Sequence, residues 1–272
     1  MPSSEVTTHQ FNIHALLYGP IKPCPELDRQ RQRVLKSHSQ GEDFFTEITL
    51  LDHRQSGMMQ VEYLVTARSP NSAERVGAVY LSQLCDLLSV ATRCGIRFYM
   101  PDDDARDERI QQSRRSTTVD RILTVSEWEW VTGNLAFFRR KHPRFLAAAS
   151  WYRKGLLGKD ALDDFCCFWR VIERLAASYF DKSKVSESDR GRAKAQISQL
   201  LADLFPSGGL PALGDEELVN RFYKLRNDLS HGNVPITVEL IDQATSYVQP
   251  MADAAYAVLD AIRHKSLVDS SE

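Results

Sequence analysis

Gly214-Asp215-Glu216-Glu217-Leu218-Val219-Asn220-Arg221-Phe222-Tyr223-Lys224-Leu225-Arg226-Asn227-Asp228-Leu229-Ser230-His231-Gly232 has the composition of a helix with both ends marked. Gly214 is a stop and Asp215 an N-cap. Glu216 and Glu217 fill the first turn, where carboxylates favour the helix dipole. Gly232, with Pro235 beyond it, closes the other end. Between them Leu218, Phe222, Leu225 and Leu229 recur at helical spacing and fall within a sector of roughly 60°. Asn220, Lys224, Asn227 and His231 share the opposite face. Arg226 lies about 70° from the stripe centre, on the flank between core and solvent. His231 therefore belongs to a polar face that meets either water or another surface.

Working outward, helical patterns continue over about 126–141, 144–156, 160–180, 191–204 and 237–266. His142-Pro143 separates the first two, Pro206 and Gly208-Gly209 open the turn before the quoted helix, and Pro250 is expected to kink the last one. Upstream, 10–19, 43–51 and 58–67 carry strand patterns. Met59, Val61, Tyr63 and Val65 alternate with Gln60 and Glu62, the signature of a half-buried strand. A helix is expected from Ala73 to Cys94, ended by Gly95, then a short strand at Ile96–Met100. Residues up to about Gln10 are expected to be mobile, and 26–41 is polar. The stretch 101–118 is densely charged and nearly free of apolar residues, so it reads as a linker. The expected fold class is α+β: a small mixed α/β domain over 1–118, then an all-α bundle over 119–272.

Two residues of the quoted helix carry chemistry. Arg226 stays charged at any working pH and can grip a phosphate with parallel hydrogen bonds. His231 can take and give protons near neutrality. The competing reading of an isolated Arg-x4-His pair is a helix end decorated with a solvated histidine that complements the dipole.

More than two residues match a known pattern, however. The string Tyr223-Lys224-Leu225-Arg226-Asn227-Asp228-Leu229-Ser230-His231-Gly232 resembles the motif helix of the HEPN superfamily, in particular its bacterial Apea-like and methylamine-utilisation-associated groups. Ser150-Trp151-Tyr152-Arg153-Lys154-Gly155-Leu156, then Asp164-Phe165 and Trp169 through Leu175, resemble an upstream helix of those groups. The likeness covers roughly 144–265 and leaves 1–118 unmatched. It implies a helical bundle that dimerises with two motif helices face to face, forming a composite ribonuclease site. Carried over by position, Arg226 would bind the scissile phosphate, His231 would be the general acid/base, and Asn227 would orient the site. A role in bacterial antiviral defence or growth control, as a toxin, is also implied. Some toxin members have tyrosine two residues after the histidine. Asn233 stands there in this chain, which disfavours the tyrosine-type toxin. Many members are catalytically silent, so a non-catalytic helical module that binds RNA, a nucleotide or an operon-encoded protein partner remains the alternative.

Composition narrows the classes. With 43% hydrophobic and 26% charged residues the chain is an ordinary globular protein. Without an apolar run of membrane length or a signal-peptide core, a cytoplasmic location away from membranes is expected. Cys24, Cys85, Cys94, Cys166 and Cys167 have neither disulfide nor zinc spacing, and Cys166-Cys167 reads as part of a core. No nucleotide or metal motif occurs, so neither cofactor nor metal is expected. A net charge of −2 leaves RNA contact to a local patch. Residues 139–159 contain Arg139, Arg140, Lys141, Arg144, Arg153, Lys154 and Lys159 and no acid. Trp151 and Tyr152 lie among them as possible stacking partners. Those bases, with Lys224 on the motif helix, are the candidate RNA contacts; the competing reading is a solvated face with its aromatics turned inward.

Glu173 projects from the stripe Leu162, Cys166, Trp169, Ala176 and Phe180 of its helix. A carboxylate there needs a partner or must be protonated. Arg226 is one partner. Solvent at a helix crossing, or another base, is the other solution.

Overall fold

Alternation of buried and half-buried residues from Met59 to Ala67, after a buried Met58, makes this strand the centre of an antiparallel sheet. The computed structural model describes residues 8–29, 31–33, 44–52, 58–100, 121–206, 210, 213–214 and 216–268. Of the expected mobile start, His9 and Gln10 instead begin a strand, while residues 1–7, the linker 101–118, the Gly208-Gly209 turn and the Asp215 N-cap lie outside that set. By contacts the chain forms two compact units, Met1–His142 and Pro143–Glu272.

In the first unit, β1 (His9–Tyr18), β3 (Arg31–Arg33), β4 (Phe44–Asp52), β5 (Met58–Ala67) and β6 (Arg97–Tyr99) form one sheet in the order β3-β4-β5-β1-β6. Strands β1 and β5 pair along their full length, from His9 opposite Ala67 to Tyr18 opposite Met58. Leu17, Ile48, Leu50, Val61 and Tyr63 are buried, and the period of two turns Leu16, Gln60, Glu62 and Leu64 to the other face.

Helix α1 (Pro70–Thr92) packs on the sheet. It differs at both ends from the sequence expectation. Ser69 is the N-cap, its hydroxyl accepting from Ser72 N, and Pro70 takes the first helical position. At the far end Arg93, with φ 57°, supplies the left-handed residue that had been assigned to Gly95. Three short strands were not anticipated: β3 (Arg31–Arg33) lies in the polar stretch 26–41, and β2 (Ile21–Pro23) pairs in parallel with β7 (Arg121–Leu123). Three residues are too few to establish a period.

Helix α2 (Val125–Lys141) starts with a reciprocal capping box between Thr124 and Glu127 and packs against α1. Sequence grouped this helix with those that follow it. Its contacts place it with the sheet.

The second unit is helical: α3 (Pro143–Leu156), α4 (Ala161–Tyr179), α5 (Ala193–Leu204), α6 (Glu216–His231) and α7 (Val238–Val268). Helix α4 is central and packs on the other four. It is capped by Asp160, whose carboxylate accepts from Leu162 N at 2.8 Å and Asp163 N at 3.3 Å. Phe165, Phe168, Trp169, Ile172 and Leu175 bury one broad face of it, while Asp163, Arg174 and Ala177 stay exposed. Phe222 from α6 and Tyr247 from α7 meet at 4.9 Å between ring centroids. Helix α7 continues through Pro250, which is exposed.

Gly155 marks the closest approach of α3 to α4. A Cβ there would stand 2.6 Å from the Phe168 ring, which is itself packed against Tyr152. Gly155→Ala gains about 1 kcal/mol of helix propensity but incurs an overpacking cost of about 1–3 kcal/mol, so the melting temperature should fall. Gly133, with nothing within 4 Å of its added Cβ, is the control. Gly133→Ala should raise the melting temperature.

Candidate functional site

The face that α6 buries is rotated from the sequence stripe. Val219, Phe222 and Leu225 are buried, whereas Leu218 and Leu229 are only half-buried. The rotation moves Arg226 towards the core, and its side chain is 25% exposed.

There Arg226 meets Glu173 of α4. Arg226 Nη2 donates to Glu173 Oε2 at 3.0 Å, and Nη1 donates to Asn227 Oδ1 at 2.8 Å. Arg226 Nε is buried with no hydrogen-bond partner. Of the two solutions open to Glu173, the Arg226 pairing is the one present. Two partners thus fix the guanidinium plane, and a quarter of the side chain stays exposed.

His231 is exposed at the end of α6. Gly232 turns the chain with φ 63°, and Asn233 N donates back to Asp228 O at 3.0 Å. This is a Schellman closure. Asn233 supplies the backbone donor of that closure.

The basic run does not form one surface of one unit. Arg139, Arg140 and Lys141 end α2 in the first unit, where burial lowers the pKa of Arg139. Arg144, Arg153 and Lys154 lie on α3 in the second. Arg144 and Lys154 are exposed, Arg153 is half-buried, and Lys224 is exposed on α6. Tyr152 is core and has no face for a base. Trp151 is half-buried, with Lys154 Nζ 4.3 Å and Arg170 Cζ 4.4 Å from its ring centroid.

Beside the end of α6 lies a cavity of about 1010 Å³. Trp151 and Lys154 of α3, Lys159 of the following loop, Asp163, Asp164, Cys166, Cys167 and Arg170 of α4, and Asp228 and Ser230 of α6 line it. The two cysteines are half-exposed here, and not core residues as the sequence suggested. Desolvation pushes the Cys166 thiol up to about 11 and raises Cys167 too. Arg170 and the aspartates were not singled out from sequence. Arg170 at three residues beyond Cys167 shares its helix face, but only the fold brings α3 and α6 to that face. Among the described residues, no group of three or more His, Cys, Asp or Glu side chains is placed to hold a metal, and no helix is long and apolar enough to cross a membrane.

Asp164 is the strained acid of this cavity. Its carboxylate occupies the space that a side chain at Gly158 would take. Burial first, then Asp160 and Asp163, push its pKa up to about 6 from 3.8. The folded pKa lies above the unfolded one. Its stabilising contribution is therefore complete below about pH 4 and lost as pH rises through about 6. Asp164→Asn should melt higher than wild type at pH 8, with the gap closing at pH 4, in thermal melts across that range.

Comparisons of the chain with protein-family models, curated proteins and solved structures find no match.

Proposed function

We propose that this chain is a metal-independent endoribonuclease of the HEPN type, working as a homodimer with two α6 helices face to face. The observation that carries the reading is the division of roles on α6. Arg226 is held by Glu173 and Asn227, while His231 stands exposed one turn further on, at the helix end.

In such a dimer one His231 takes the proton of a ribose 2′-hydroxyl, and that oxygen attacks the adjacent phosphorus. The bond from phosphorus to the 5′-oxygen breaks, and the second His231 protonates the leaving oxygen. The products are a 2′,3′-cyclic phosphate and a 5′-hydroxyl. Arg226 offsets the charge gathering on the phosphoryl oxygens.

The chain that leaves α6 suits a protein contact. Val234, Ile236, Val238 and Ile241, which follow His231 in the sequence, are 38%, 69%, 69% and 41% exposed, and Val234 and Ile236 border the cavity beside α6. Wild type should be a dimer that cuts structured RNA in EDTA and leaves cyclic-phosphate ends. Ile236→Asp combined with Val238→Asp should give a folded monomer without cleavage, read by light scattering and gel. A wild-type monomer that leaves RNA intact would overturn the proposal.

One observation favours a second reading. Arg226 is paired within its own chain, and its Nε is buried. That suits a non-catalytic helical module in which the arginine is a structural tie. The Glu173 variants described in the Discussion separate the two.

A further inference from the structure

We propose that the cavity beside α6 is a base-specific nucleotide pocket that selects guanine. The choice of a nucleotide rests on the RNA reading above; the choice of base comes from the cavity's own side chains.

Its volume, about 1010 Å³, is at the upper end of the range for small-ligand sites and leaves room for a whole nucleotide. The lining is polarised in chemistry. Trp151, Lys154 and Arg170 make a cationic cluster on the cavity wall, with Lys154 Nζ 4.3 Å and Arg170 Cζ 4.4 Å from the indole centroid. An arginine plane or indole face stacks on a base, and the ammonium beside it attracts the phosphate.

Asp163, Asp164 and Asp228 supply the opposite character. An ionised carboxylate only accepts hydrogen bonds, and it has two oxygens side by side. Guanine has two adjacent donors on its pairing edge, N1–H and the 2-amino group. Adenine and cytosine each have an amino group next to an acceptor nitrogen, and uracil has a single N–H between two acceptors. Only guanine matches both carboxylate oxygens at once.

The two characters line one cavity: Asp163, Asp164 and Arg170 come from within two turns of α4, with Lys154 and Asp228 on the neighbouring helices.

The test is titration of the full chain with GMP, AMP, CMP and UMP, by calorimetry, in 50 mM-scale salt at pH 8, where Asp164 is ionised. GMP should bind about tenfold or more tightly than the other three. Asp163→Asn with Asp228→Asn should abolish that preference, and Trp151→Ala should weaken all four, in variants whose melts stay cooperative. No saturable binding by folded wild type, equal affinities for the four, or a preference that survives the aspartate changes would each overturn the pocket. RNA cleavage without GMP binding sinks the pocket and leaves the nuclease. GMP binding without cleavage does the reverse.

Discussion

His231→Ala is expected to reduce cleavage of structured RNA by at least about 100-fold, with the melting temperature lowered by no more than a few degrees. A positioned general acid or base contributes roughly 10²–10⁴ in rate, and in the proposed dimer the change removes both members of the pair. The structural cost is small because His231 is exposed at a helix end whose Gly232 turn and Asn233-to-Asp228 hydrogen bond do not use the imidazole. The imidazole's interaction with the helix dipole, about 0.3–1 kcal/mol at an exposed end, is all the fold loses. Rates measured by single turnover in EDTA, beside melts of the same samples, read both effects. Cleavage by His231→Ala at the wild-type rate would remove His231 from the mechanism and with it the proposed activity. Arg226→Lys is the companion variant. It keeps the charge opposite Glu173 but gives up the planar fork, so it should lose rate while remaining folded.

The same helix shows what a sequence can and cannot disclose. Its period and its glycine stop are local, and α6 ends at His231 as the composition of 214–232 demands. Strand β5 is equally local: its alternating run from Met59 to Ala67 marks the strand without reference to any other segment. Which face is most deeply buried is not local. Val219 replaces Leu229 in the buried face because α4 supplies Phe165 and Trp169 against Phe222. The cavity was invisible for a stronger reason. Trp151, Arg170 and Asp228 lie on three helices, and no spacing within one helix relates them. Helix α2 gave no warning that it packs with the sheet unit, since an apolar stripe does not name the surface it will cover.

Glu173 and Arg226 carry the second large effect, and it lies on the link between stability and chemistry. Their side chains are 18% and 25% exposed, so the pair is neither a solvated surface bridge nor a fully buried one. Surface pairs are worth about 0–1 kcal/mol, and orphaning one member of a buried pair costs about 3–5 kcal/mol. Glu173→Ala should therefore destabilise the helical unit by about 1–3 kcal/mol, a drop of several degrees in melting temperature. Glu173→Gln keeps an oxygen that can accept from Arg226 Nη2 and should lose less. The rate decides between the two readings of the arginine. If Glu173 holds the guanidinium at the angle that a phosphate requires, Glu173→Ala lowers the cleavage rate by about 10- to 100-fold in protein that is still folded, because a displacement on the order of 1 Å is enough. Glu173→Gln should then recover part of that rate. If Arg226 is only a structural tie, stability falls and no cleavage depends on Glu173: folded wild type leaves RNA intact, or it cuts at a rate that Glu173→Ala does not change. That outcome would place Glu173 and Arg226 in the scaffold and leave no anchored cation beside His231.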